Sequence, residues 1–363
     1  MEIAASAPGK LFVLGEYAVT AGEPAIVCAT QRRLECRLLT SPGTGRLRIR
    51  RGNAETFDCP GNLDSVDDVP QPFRFAVAAA EVGRHVASLK GIDLEIMPAD
   101  TLDQGSPKVG LGGSAAVTAA ILAGLAEIPG AEALQDPLRR CQLGIQAHRL
   151  AQRGGSGADV AAITAGGLVW VEGVGSAPAP KSIRDASENA STALRFERLQ
   201  LPPETQLIAI ATGRAARSGP RATQFREGIR GRGPLGDAGA QALQAWTRAM
   251  SEASANFRQA CSEDDSAGAL AAVSRGGTLF RRLPAISGVP VWSPELRRLQ
   301  TACREEPHIA IKPSGAGGGD CAIALIRARE PAFWQRNSVI QTQQTVELAT
   351  DGAGACAQRK MEL

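Results

Sequence analysis

Apolar and polar residues alternate at 34–38 and 47–49, and short continuous apolar runs occupy 11–14 and 25–29. Alternation puts every second side chain on one face, so these segments predict strands of an antiparallel sheet at the start of the chain. Residues 72–89, 114–125 and 138–152 are dense in small and apolar side chains without long polar breaks, which predicts helices packed closely on that sheet. Residues 166–171 read as another strand. From Glu172 to Thr192 the sequence turns to Ser, Ala and Pro and loses its period, which predicts a loop and a domain boundary near residue 200.

Beyond that boundary, 207–211 reads as a strand, and an Arg- and Gly-rich stretch to about 240 reads as a loop. Helices follow near 241–260, 264–282 and 294–305. The last is announced by Ser293 and Pro294, an N-cap with proline at the first helical position. Strands at 309–311, 321–325 and 345–348 with a helix near 331–339 complete an α+β second half. A chain of 363 residues, 44% of them hydrophobic, can bury two ordinary cores, so the expected domains are 1–200 and 201–363.

Charge narrows the function classes. Forty Lys and Arg face 37 Asp and Glu, a balance too even for a general nucleic-acid or membrane surface. The eight cysteines include no CxxC pair, so they read as reduced, mostly buried thiols, not zinc ligands or a disulfide framework. No apolar run follows a basic start, and the longest apolar stretch, 115–126, is too short for a bilayer. A soluble cytoplasmic protein without nucleic-acid or membrane partners is expected.

Three glycine-rich segments carry the candidate chemistry. Lys108-Val109-Gly110-Leu111-Gly112-Gly113-Ser114-Ala115-Ala116 runs directly into an apolar helix, so its amides can converge on an anion at the positive helix end. It lacks the order of a P-loop or dinucleotide fingerprint, and it reads equally as a flexible helix start capped by Ser114. Pro313-Ser314-Gly315-Ala316-Gly317-Gly318-Gly319-Asp320 has four glycines in five positions, more than a hairpin turn requires. They permit close backbone approach to a ligand, with a long flexible hairpin as the alternative. Gly154-Gly155-Ser156-Gly157-Ala158-Asp159 places a carboxylate among small residues, and Asp159 alone reads as a helix cap or a base.

In chain order, Ala7-Pro8-Gly9-Lys10 with Gly15-Glu16-Tyr17, then the GLGGSAA loop, then SGAGGGDC resemble the GHMP kinase superfamily. Tyr17, the stretch from His148 to Ala162, and Gly319-Asp320-Cys321 are similar to its phosphomevalonate kinase branch, as are Ser287-Gly288-Val289-Pro290 and Pro294-Glu295. The resemblance implies a two-domain α+β fold, with an N-terminal domain of the ribosomal protein S5 domain 2 type, a ferredoxin-like C-terminal domain, and a site in the cleft between them. It further implies transfer of a phosphoryl group from ATP, with Mg²⁺, to 5-phosphomevalonate, by a monomer or homodimer. A mevalonate kinase, another GHMP small-molecule kinase, a mevalonate-type decarboxylase and a non-catalytic nucleotide-binding regulator are the alternatives.

The roles implied by the resemblance fall on particular residues. Lys10 and Asp159 would be catalytic. Lys108, Gly110, Leu111, Gly112, Gly113, Ser114, Ala115 and Ala116 would hold the nucleotide, with Ser114 also a metal ligand. Glu16, Tyr17, Ser156, Arg214, Arg217, Ser218, Ser314, Gly315, Ala316, Gly317, Gly318 and Asp320 would face the acceptor. Two departures stand out: Gly113 where serine commonly precedes the metal-binding serine, and Arg217 in the substrate loop. His148 occupies the position eleven residues before Asp159, where mevalonate kinases carry a metal-binding glutamate. It reads here as a structural helix residue. Arg221, Arg226, Arg230 and Arg232 read as a solvated, mobile loop.

Overall fold

The computed structural model describes residues 1–51, 55–99, 102, 110–175, 178–189, 193–212, 218–304, 306–319, 321–327, 345–348, 350 and 352–359. Lys108, Arg214, Arg217, Asp320 and the helix expected near 331–339 lie outside them.

The strands are β1 (Glu2–Leu14), β2 (Ala25–Pro42), β3 (Leu47–Arg51), β4 (Glu55–Cys59), β5 (Ile92–Ala99), β6 (Leu168–Glu172), β7 (Arg195–Leu199), β8 (Thr205–Ala211), β9 (Ile309–Pro313), β10 (Cys321–Arg327), β11 (Thr345–Glu347) and β12 (Cys356–Arg359). The helices are α1 (Arg74–Val86), α2 (Gly113–Leu125), α3 (Pro137–Gln152), α4 (Ala158–Ala165), α5 (Ile183–Glu188), α6 (Ser218–Ile229), α7 (Gly236–Ser262), α8 (Ser266–Ser287) and α9 (Pro294–Ala302). None of the described helices is long and apolar enough to cross a membrane.

Two sheets result. The first runs β12-β1-β2-β5-β3-β4, with β6 joining β2 to β7; the second runs β11-β8-β10-β9. The last strand of the chain thus returns to the first sheet, where Ile3 pairs with Arg359. Helices α1 to α4 cover one face of the first sheet. Helices α7 and α8 lie between the two sheets, and Leu296, Leu299 and Cys303 cover the far face of the second.

One slip in β1 sets up the site. Ile3, Ala5 and Ala7 face the core under α2, whereas Leu11 and Val13 face the core shared with α7 and α8. The register against β2 shifts between Pro8 and Lys10. A one-residue bulge exchanges the two faces of a strand, so Lys10 emerges on the α2 side where unbroken alternation would have sent it the other way. Gly9 permits the bulge, because a Cβ there would lie 2.7 Å from Thr30 Oγ1 and 2.9 Å from the Leu111 carbonyl.

Several expectations need correction. The two runs at 25–29 and 34–38 belong to one continuous strand, β2. The stretch 172–192 contains α5, started by Ser182, whose hydroxyl accepts from the Asp185 amide. The Arg- and Gly-rich stretch contains α6, because Phe225 is fully buried between Tyr17 and Trp246, with ring centroids 5.0 and 5.7 Å away. Arg230 and Arg232 are not a loose basic run: both pair with Glu227 at 3.1 Å. The start signal at Ser293 works as read, its hydroxyl accepting from the Leu296 amide at 3.2 Å. All eight cysteines are free and only Cys356 is exposed.

Candidate active site

A cavity of about 310 Å³ opens between the two sheets. Its first wall is built on β1, α2, α3 and α4. The Lys10 amide donates to the Leu111 carbonyl at 2.8 Å, which ties the bulged strand to the loop before α2. Gly112 caps that helix at φ 79°, and a Cβ on it would come within 2.7 Å of Lys10 Cε. Glycine therefore serves twice here, adopting the left-handed conformation and leaving the lysine stem room to cross the helix N-terminus. Partial positive charge from the helix and the lysine ammonium converge on one space, which suits an anion.

The amides of Ala115 and Ala116 donate to the Gly112 carbonyl at 3.0 Å, and both side chains are in the core. These two residues are committed to the helix, so the anion-facing part of the loop is narrower than its sequence suggests. Gly110, Gly112 and Ser114 line the cavity, and Leu111 is buried behind it.

Ser114 Oγ lies 3.1 Å from His148 Nε2, and the same nitrogen is 3.9 Å from Asp159 Oδ2. His148, on α3, packs its ring tilted by 34° against Phe75, ring centroids 4.8 Å apart. Burial and the positive charges of Lys10 and Arg149 lower its pKa, with Asp159 only partly opposing them. The ring is therefore neutral near neutrality. Burial pushes the Asp159 carboxyl up, but His148, Lys10 and the Val160 amide together outweigh it and hold the group below the ordinary aspartate value. Its side chain keeps 23% exposure, enough for a ligand to reach.

Asp159 is positioned by an arginine that sequence reading passed over. Arg149 is 1% exposed and donates to the carbonyls of Gly155, Ser156, Val174 and Gly175 at 2.7–3.0 Å. It clamps the glycine turn ahead of α4, where Gly157 at φ 85° packs so tightly on Ile145 that a Cβ would sit 2.5 Å away. Asp159 is in the first turn of α4 and Gly157 is its N-cap, so the carboxylate is not the cap.

The opposite wall joins the two sheets. Gly15, at φ 88°, turns the chain out of β1, and Tyr17 follows at φ 61°, a strained conformation for a bulky residue. The strain is held by packing and by the Tyr17 hydroxyl, which donates to the Ala316 carbonyl at 2.7 Å. Burial raises the phenol pKa, which keeps the hydroxyl a neutral donor. Ser314 Oγ donates to the Phe12 carbonyl at 2.8 Å, a second stitch across the cleft. Glu16 is 2% exposed and pairs with Lys312 of β9.

Most of the expected site residues thus come together. Lys10, Glu16, Tyr17, Ser156, Asp159, Ser314, Gly315 and Ala316 line one cavity with the α2 loop. Gly317 and Gly318 do not line it: they pack against Val291 and under the Arg221 guanidinium. Ser218 opens α6, and Ala222 of the same helix reaches the cavity. His148 was read as structural, yet it faces Ser114 as well as filling α3. Lys312 gave no signal in sequence. No group of three or more His, Cys, Asp or Glu among the described residues could hold a metal.

A mixed two-domain fold with a glycine-rich helix N-terminus, a lysine and an aspartate in one cleft defines a class of small-molecule kinases. The model described as GHMP kinases N terminal domain matches residues 74–167, and that described as GHMP kinases C terminal matches 265–337; the chain belongs to the GHMP kinase superfamily. Within it the chain is similar to the phosphomevalonate kinase of Streptomyces sp. (strain CL190), 28% identical in an alignment 351 positions long that covers 89% of each chain. Among solved structures, the Lin0012 protein from Listeria innocua shares the fold at a TM-score of 0.80, with 21% identity over 99% of this chain and 100% of that one. Streptococcus pneumoniae phosphomevalonate kinase, solved in complex with phosphomevalonate and AMPPNP, shares it at 0.69, with 20% identity over 94% and 99%.

Proposed function

We propose that this kinase transfers the γ-phosphoryl group of ATP to the phosphate of 5-phosphomevalonate, giving 5-diphosphomevalonate and ADP. The observation that carries the reading is the placement of Lys10, across the α2 N-terminus on one side and beside the ionised Asp159 on the other. Similarity along nearly the whole of a phosphomevalonate kinase supports the choice of acceptor. In this reading residues 1–200 supply the nucleotide side of the cleft, and the second half supplies Ser314 to Ala316 on the acceptor side.

The chemistry asks for placement and charge neutralisation. An acceptor phosphate is already an anion, so its oxygen attacks the γ-phosphorus as the bond to the β-phosphate oxygen breaks, with little need for a base. Lys10 bridges the two phosphates and draws off charge that develops between them. Asp159 orients Lys10. His148 stays neutral and steadies the Ser114 hydroxyl.

Ser114 and Asp159 offer hard oxygen donors of the kind Mg²⁺ takes, one hydroxyl and one carboxylate, the rest of its shell being water and phosphate. Bound there, the ion would neutralise β- and γ-phosphate charge. An ADP-release assay with mevalonate and 5-phosphomevalonate side by side tests the reading. Turnover with 5-phosphomevalonate is expected; turnover with mevalonate alone overturns it.

A further inference from the structure

Lys312, on β9, is 0% exposed and pairs with the cavity-lining Glu16. Removing an ammonium from water is costly unless it is paired, and its pairing is complete. It donates to Glu16 Oε1 and, at 2.8 Å, to the Pro313 carbonyl, and it lies 4.9 Å from the centroid of the Phe280 ring. Its stem runs along α8 where side chains are missing: a Cβ on Gly276 would lie 3.3 Å from Lys312 Cδ and 2.5 Å from Leu14 Cδ2. The fold makes room for this cation from three elements distant in sequence.

Glu16 is satisfied on one side only. Oε1 has the lysine, but Oε2 is buried and has no hydrogen-bond partner among the described residues, in a side chain that lines the cavity. An unsatisfied buried carboxylate oxygen costs stability, and native folds leave few. Lys312 already occupies Oε1 of this cavity-lining side chain, which leaves Oε2 as the acceptor for a donor that the cavity binds. A hydroxyl is the donor that suits it, because a second anion would be repelled and a second cation would compete with Lys312.

We propose that Lys312 is a positioning residue for the acceptor, holding Glu16 so that Oε2 accepts a hydrogen bond from a hydroxyl group of the substrate. The inference rests on the acceptor reading above, in which 5-phosphomevalonate carries one hydroxyl, on C3. No bond is made or broken; the pair sets where the acceptor sits and selects for the hydroxyl.

The test compares 5-phosphomevalonate with its 3-deoxy analogue in the wild type, K312M and the double variant K312M/E16Q. K312M strands a buried carboxylate, so it risks misfolding. The double variant removes both charges at nearly constant volume, and its fold is checked by melting and by the KM for ATP. Wild-type enzyme is expected to prefer the hydroxyl-bearing acceptor by about 10- to 100-fold in kcat/KM, the worth of a hydrogen bond to a charged group. In both variants the preference is expected to collapse to near unity through a raised acceptor KM, with the KM for ATP within about twofold of wild type.

A purely structural pair would leave that preference intact. A folded double variant that still prefers the hydroxyl, or a wild type that never did, overturns the proposal. Failure of the wild type to use 5-phosphomevalonate at all overturns the functional reading instead. If another hydroxyl-bearing acceptor is turned over, the same ratio is taken with it and its deoxy analogue.

Discussion

The two walls of the cavity both contain charge, but they hold it in opposite ways. On the wall of β1, α2 and α4, Lys10 and Asp159 influence one another without forming a closed pair, and the Asp159 carboxyl remains partly exposed. On the wall of β9 and the turn after β1, Lys312 and Glu16 are sealed together, and burial lowers the lysine pKa while Glu16 pulls it back up. Charge left facing a cavity can respond to a ligand whose own charge changes during reaction. Charge closed into a pair fixes geometry instead. Under the proposed function, chemistry falls to the first wall and placement of the acceptor to the second.

The largest effects should therefore come from the first wall and fall on turnover. Lys10→Ala or Asp159→Ala is expected to cut kcat by about a hundred- to a thousandfold, the scale for loss of one transition-state charge contact. Melting temperature should change little, because neither side chain holds a core together. Wild-type kcat in both variants, measured by ADP release, would abolish the distinction between the walls.

Gly112→Ala probes the same wall through geometry. The new Cβ would adopt a left-handed conformation and press on Lys10 Cε from 2.7 Å. A loss of about 1–2 kcal/mol in denaturant unfolding is expected from the backbone alone. Turnover should fall by roughly a hundredfold as the lysine is displaced. A variant that loses the stability but keeps its kcat would mean that Lys10 tolerates movement, and that the wall is less exacting than its contacts suggest.

Tyr17→Phe probes the second wall. It removes the donor to the Ala316 carbonyl while leaving the ring on Phe225 and Phe280. Stability should fall by about 1 kcal/mol, and the acceptor KM should rise several-fold at nearly unchanged kcat and ATP KM. An equal rise in both KM values would show that the tyrosine closes the whole cleft instead of serving its acceptor side.

The first wall was more legible in the sequence than the second. Its glycines advertise themselves, because positive φ at Gly112 and Gly157 is a local demand that few residues other than glycine meet. The pattern of strands and helices was compatible with an α+β class, while the two-domain GHMP kinase fold was legible only through the resemblance that the ordered motifs carry. Lys312 was invisible because a lysine in Ile311-Lys312-Pro313 looks like any strand residue, and its burial depends on Gly276, Phe280 and Glu16, which are far away in the chain. Helix α6 was hidden by its arginines, since Phe225 is its only fully buried aromatic anchor. Strand β5 alternates in Ile92-Asp93-Leu94-Glu95-Ile96 and could have been read; β12, mostly polar and exposed, could not.

The smallest effect belongs to the departure that looked most threatening in sequence. Serine commonly stands where this chain has Gly113, at the first position of α2. A Cβ there would meet nothing nearer than Leu102 Cδ1 at 3.9 Å, and the backbone is not in the left-handed region. Gly113→Ser therefore fits without strain, and it trades glycine flexibility for a better helix former, which favours the folded state by a few tenths of a kcal/mol. Its kcat/KM should stay within about twofold of wild type, because the amide, not a side chain, is what position 113 turns toward an anion at a helix N-terminus. A large gain in activity would mean that the first wall lacks a hydroxyl it needs. A large loss would mean that the ligand approaches Gly113 more closely than a side chain allows, and that close backbone approach, more than the charges of Lys10 and Asp159, sets the limit on this wall.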